Sequence, residues 1–179
     1  MSHEWNSCSK LMTEDSLKQA TAAYREVVST GGGESDTFAY MLKMQLGLQK
    51  KLHDRLPDQT HDIDKVGLTV GNTLDYLRDQ KEAFDDEYRE LVDALPGMDK
   101  TEKERSGLWK KWKGNHERMR SVIFSGLTFD EQVEAKMEVV DMFHFMLNMF
   151  IGLGMNAEEI FVYYYLKNKE NFERQDGDY

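Results

Sequence analysis

Only two prolines, Pro57 and Pro96, interrupt this chain of 179 residues. Between them and the glycines lie long runs in which apolar residues recur every three to four positions. A proline inside a helix removes a hydrogen bond and clashes with the preceding turn, so its scarcity permits long helices, and the apolar period calls for them. The expected class is all-α, a helical bundle.

Start and stop signals divide the bundle. A first helix is expected over Glu14–Ser29, closed by Gly31-Gly32-Gly33. A second follows Ser35 or Asp36 as N-cap and ends near Arg55, before Leu56-Pro57. Asp58–Lys65 reads as a polar loop. A third helix starts between Thr69 and Thr73 and runs to about Leu95, where Pro96-Gly97 stops it. Thr101 and Glu104 form a capping box for a shorter helix that carries Leu108, Trp109 and Trp112. Thr128 and Glu131 form another, opening a helix that reaches Leu153 before Gly154. The last starts after Asn156, with Glu159 at the box position, and runs to about Arg174. One domain spanning 1–179 is expected.

Net charge is -10 and the sequence pI about 5.0, which disfavours coating of nucleic acid. The single cysteine, Cys8, excludes an intrachain disulfide and fits a reducing compartment. Met1–Asn6 lacks the basic and apolar regions of a signal peptide. No apolar run approaches the roughly 20 residues of a membrane span, and Met142–Met155 is broken by His144 and Asn148. The expected location is the cytoplasm, away from any membrane.

The informative residues are polar ones on apolar stripes. In the second helix Phe38, Met41, Leu42, Leu48 and Leu52 form the stripe, and Gln45 fills a gap in it, with Gln49 one turn on. A buried amide needs a partner. Gln45 either bonds a neighbour or presents its donor and acceptor to a ligand such as a nucleobase edge. In the third helix Glu87 falls between Phe84 and Leu91, flanked by Glu90. In the fifth, Glu138, Asp141, His144 and Asn148 intrude among Val133, Met137, Phe145 and Ile151. Glu87-x-x-Glu90 and Glu138-x-x-Asp141 each put two carboxylates on one helix face. Four inward carboxylates repel unless a cation joins them. A hard divalent ion suits oxygen ligands, and Mg2+ is the ion expected. Elsewhere, Trp109-Lys110-Lys111-Trp112-Lys113 mixes indoles with cations, and Lys167, Asn168, Asn171 and Arg174 line one side of the last helix.

Five separated motifs together resemble the dimeric, all-α dUTPase family, a branch of the all-α nucleoside triphosphate pyrophosphatases. They are Met44-Gln45-Leu46-Gly47-Leu48-Gln49, the run from Glu87 to Pro96, Trp109 to Lys113, Glu138 to Phe145, and Lys167 through Tyr179. Composition and insertion look most like the bacteriophage dCTPase-dUTPase branch. The resemblance implies Mg2+-dependent hydrolysis of dCTP and dUTP, extending to dCDP and dUDP. Alternatives are a strict dUTPase or a MazG-like pyrophosphatase. It also implies a homodimer and leaves room for association with other nucleotide-synthesis enzymes. Glu87, Glu90, Glu138 and Asp141 match the metal ligands, with Glu90 assigned to the attacking water. Gln45, with Gln49, matches the base reader. Trp109 and Phe145 match pocket aromatics, and Lys167, Asn171, Arg174 and Tyr179 match phosphate and substrate contacts; Lys110, beside the tryptophans, and Asn168, on the same helix side, are read from the residues themselves as further substrate-binding candidates.

Three departures stand out. Gln49 occupies a position where the family often has asparagine. Gly97–Leu108 is inserted before Trp109. The chain ends Gly177-Asp178-Tyr179 where Asn-Gly-Tyr is usual. A di-iron carboxylate bundle is a rival suggested by Asp141-x-x-His144, but its second motif, Asp58-x-x-His61, falls in the expected loop. A non-enzymatic acidic binding protein is the other.

Overall fold

The computed structural model describes residues 13–15, 17–18, 22, 25, 36–95 and 122–164. Every regular element among them is helical, as the all-α expectation requires. Residues 14, 15, 17, 18, 22 and 25 are helical, in the span expected for the first helix. The elements named below are α1 (Thr37–Arg55), α2 (Ile63–Val66), α3 (Val70–Ala94) and α4 (Phe129–Gly152). A single 3-10 turn covers Phe124–Gly126, and α5 covers Ala157–Tyr164. No single helix among the described residues is long and apolar enough to cross a membrane.

The helix ends follow the side-chain chemistry. Asp36 caps α1 by accepting from the backbone N–H groups of Phe38 (2.9 Å) and Ala39 (3.3 Å). Thr128 and Glu131 close a reciprocal box at α4. The Thr128 N–H donates to Glu131 at 2.9 Å, and the Glu131 N–H donates to Thr128 Oγ1 at 3.3 Å. At the far end Gly154 takes φ 71°, the left-handed conformation that glycine adopts without penalty. Its N–H donates to the Ile151 carbonyl at 2.9 Å, and the Met155 N–H donates to Phe150 at 3.0 Å. Asn156 then caps α5 through the Glu159 N–H at 2.9 Å.

Two expectations change. Asp58–Lys65 is not wholly loop: Asp62 caps the short helix α2 by accepting from Asp64 N–H, Lys65 pairs with Asp62 at 2.9 Å, and buried Val66 anchors it. Leu48 and Leu52 are exposed rather than on the buried stripe of α1, whose buried residues are Leu42 and Gln45. They continue a second apolar stripe with Tyr40 and Met44, which a period of three to four cannot distinguish from the core face.

The chain divides into two compact units. One comprises Met1–Thr21 with Glu82–Phe143, the other Ala22–Lys81 with His144–Tyr179. Val133 and Ala135 are buried in the first. In the second, Tyr76, Val66 and Leu147 are buried, and Tyr76 and Val66 close on Gly152, where a Cβ would stand 2.7 Å from the Tyr76 ring. The His61 and Tyr76 rings pack in a T-shape with centroids 5.4 Å apart, and His61 pairs with Asp79 at 2.7 Å.

Candidate active site

The first unit contains a carboxylate cluster. Glu87, from the later turns of α3, and Glu138 and Asp141, from α4, each offer an oxygen, and these atoms lie within 4.8 Å of one another. It is the one such group among the described residues. Glu138 is 8 % exposed, whereas Glu87 and Asp141 are half-buried. Spacing explains how: residues three apart on α4 project from one face, and buried Ala135, one turn before Glu138, lies on that same face.

Electrostatics shows the cost of this arrangement. Burial first, then the charges of Glu90, Glu87 and Asp141, push the Glu138 carboxyl up to about 7. Burial and the charges of Glu90 and Asp141 also raise Glu87. A proton held on Glu138 is shared in a hydrogen bond with Glu87. Among the described residues no basic side chain pairs with Glu87 or Glu138; the nearby Arg89 pairs with Asp86 instead. An all-oxygen set whose buried carboxylate has no basic partner among the described residues is the donor chemistry of a hard divalent cation. The residues therefore fit such an ion.

Glu90, the fourth expected ligand, stands outside the three-atom group and is exposed. Its charge nonetheless acts on both Glu87 and Glu138. The di-iron alternative loses its second motif: His61 of Asp58-x-x-His61 faces Asp79, and no cluster with metal-ligand geometry forms there among the described residues.

The second unit contains the expected base reader. Gln45 is buried, and its Nε2 donates to Asn148 Oδ1 at 2.8 Å. Asn148 Nδ2 in turn donates to Gln80 Oε1 at 2.7 Å. Asn148, 1 % exposed, thus bonds neighbouring helices with both ends of its amide. Gln80 was invisible to sequence reasoning, because a glutamine between Asp79 and Lys81 reads as a solvated position. The available signal was its place one turn after Tyr76, on the face that α3 buries. Gln49 and Phe145 are half-buried in the same unit. Trp109, Lys110, Lys167, Asn168, Asn171, Arg174 and Tyr179 lie outside the described residues.

Comparison with known proteins gives three relatives. The chain is 43 % identical over all 179 residues to a dCTP pyrophosphatase of Enterobacteria phage T4, covering the full length of both. It is 42 % identical over 179 residues, again both full lengths, to a dCTP pyrophosphatase of Enterobacteria phage LZ5. A DNA replication protein of phage T4 is 41 % identical over 169 residues, which are 94 % of this chain and 41 % of that protein. No protein-family model matches the chain, and no solved structure does.

Proposed function

The chain belongs to the phage dCTP pyrophosphatase family and is a nucleotide pyrophosphohydrolase; from that premise we propose that it hydrolyses dCTP and dUTP, with Mg2+, to the nucleoside monophosphate and pyrophosphate. The corresponding diphosphates would yield the monophosphate and phosphate. One observation carries the reading of the site: three carboxylates with oxygens within 4.8 Å, one of them buried without a basic partner among the described residues.

Glu87, Glu138 and Asp141 are the residues that would hold the ion. When bound, a divalent cation neutralises phosphate charge and lowers the pKa of a coordinated water. Exposed Glu90, whose charge is felt by Glu87 and Glu138, is assigned to orient the attacking water and take its proton. Attack at the α-phosphorus breaks its bond to the bridging oxygen, and pyrophosphate leaves directly. No side-chain nucleophile is required. Lys110, Lys167, Asn168, Asn171, Arg174 and Tyr179 are assigned to the phosphates and sugar, with Trp109 and Phe145 beside the base and deoxyribose. Gln45, supported by Gln49, is assigned to the pyrimidine edge. A carboxamide carries both donor and acceptor, which supports use of cytosine and uracil alike.

The reading treats the chain as one catalytic domain, supported by end-to-end alignment with the T4 relative. It is taken to act in the host cytoplasm as a homodimer. Support for the dimer is the exposed apolar stripe Tyr40, Met44, Leu48 and Leu52 at successive turns of α1. The test is pyrophosphate release from dCTP, dUTP, dTTP, dATP and dGTP, each with Mg2+ and with EDTA. Turnover of dCTP and dUTP alone, abolished by EDTA, is expected. Purine turnover would move the reading to a MazG-like enzyme, and EDTA-resistant turnover would remove the metal from it.

A further inference from the structure

The buried amides of Gln45, Asn148 and Gln80 form a chain with a direction. Gln45 Nε2 donates to Asn148, and Asn148 donates to Gln80. Asn148 uses its oxygen on one side and its nitrogen on the other, at 2.8 and 2.7 Å. Turning one amide alone would set two donors or two acceptors against each other in a buried site, where an unmatched polar group is costly. The three amides therefore turn together or not at all.

Both directions satisfy the same two internal bonds, because oxygen and NH2 are near-isosteric in a carboxamide. They differ in what the outer end presents. In the direction found here the Gln45 nitrogen points inward to Asn148 and its Oε1 is left over, an acceptor. In the reverse direction Oε1 turns inward and the NH2 group, a donor, faces outward. An outward acceptor takes the 4-amino group of cytosine, and an outward donor takes the 4-oxo group of uracil. Among the described residues the only sealed side-chain polar atom with no partner is the Tyr76 hydroxyl, so neither outer end of the relay is a buried orphan.

We propose that Asn148 and Gln80 are positioning residues that set the orientation of the Gln45 carboxamide, and that a relay built only from amides, reversible as a unit, gives this site its acceptance of both 4-amino and 4-oxo pyrimidines. This rests on the reading of the protein as a pyrimidine nucleotide pyrophosphatase, with Gln45 at the base. A carboxylate in place of an outer or middle amide removes the reversibility. With Gln80→Glu, the end of the relay only accepts, so Asn148 must donate to it and Gln45 must donate to Asn148. With Asn148→Asp, assayed at a pH high enough to keep this buried carboxyl ionised, the middle only accepts, and Gln45 must again donate inward. Both substitutions hold Oε1 outward, and both preserve side-chain size.

The experiment measures kcat/KM for dCTP and dUTP in the wild type, Gln80→Glu, Asn148→Asp and a Gln80→Met control, with folding checked by circular dichroism. Both carboxylate variants are expected to shift the ratio toward dCTP by roughly 10–100-fold, the discrimination typical of one matched hydrogen-bonding edge. Gln80→Met, which only deletes the end bond, is expected to stay within about threefold of the wild-type ratio. A purely structural role would lower both substrates together and leave the ratio fixed. If one carboxylate variant fails to fold, the other carries the test, since each imposes the same direction. An unchanged ratio, a shift toward dUTP, or opposite shifts in the two variants would overturn the proposal while leaving the pyrophosphatase reading intact. A wild type inactive on both nucleotides would overturn that reading itself.

Discussion

Replacing Glu138 by glutamine should make the metal-free protein more stable while destroying its activity. The side chain is 8 % exposed and its carboxyl sits at about 7 rather than the ordinary 4.5, chiefly because of burial and then the charges of Glu90, Glu87 and Asp141. Below about pH 4.5 the group is protonated in the folded and unfolded chains alike. Between there and about 7 the folded chain keeps a proton that the unfolded chain has released, so stability falls as pH rises. Above about 7 the loss is complete. The full displacement corresponds to roughly 3 kcal/mol, and solvent reaching this partly open cluster reduces it to roughly 1–3 kcal/mol. A glutamine has no such titration. In EDTA, urea denaturation should therefore show the variant ahead of wild type by that amount near pH 8 and by less than about 1 kcal/mol near pH 5. Added Mg2+ should close the gap, and reverse it where the lead is below about 2.7 kcal/mol, because a ligand at 100 times its Kd stabilises the wild type by that amount and the variant has lost a ligand for it. A gap independent of pH, or a variant less stable than wild type at pH 8 in EDTA, would refute the electrostatic argument.

Two further outcomes follow from packing in the second unit. Gly152→Ala would put a Cβ 2.7 Å from two ring carbons of Tyr76, which is buried. The overpacking cost of about 1–3 kcal/mol exceeds or matches the roughly 1 kcal/mol gained in helix propensity, so a lower urea midpoint is expected and a higher one would contradict the contact. Tyr76→Phe removes a buried hydroxyl that has no partner, and thermal denaturation should show it equal to the wild type or stabilised by up to about 1–3 kcal/mol. A clear loss would mean that the hydroxyl has a partner after all.

The helix ends were legible in the sequence because caps are local. Asp36, Thr128 with Glu131, Gly154 and Asn156 each act within a few residues of the backbone they bond. The carboxylates were legible for the same reason: their spacing on α3 and α4 and their apolar neighbours are visible in a linear chain. What the sequence does not carry is which of two apolar stripes on α1 is buried, since Leu42 and Leu48 are equally apolar and only packing separates them. Nor does it show that Gln45 meets Asn148, 103 residues away. The partnership of Gln80 is likewise tertiary, set by α3 and α4 packing at Tyr76 and Gly152. The short helix α2 escaped because its four residues hold too little periodicity to register.

The most direct test of the central claim is to soak crystals with Mn2+, a stand-in for Mg2+ that scatters anomalously, and to locate the ion alongside dCTP turnover by the same preparation. The account predicts an anomalous peak bounded by Glu87, Glu138 and Asp141, and loss of both peak and turnover in Asp141→Asn. Turnover that persists with no ion at these carboxylates, or an ion bound elsewhere while Asp141→Asn remains active, would contradict it.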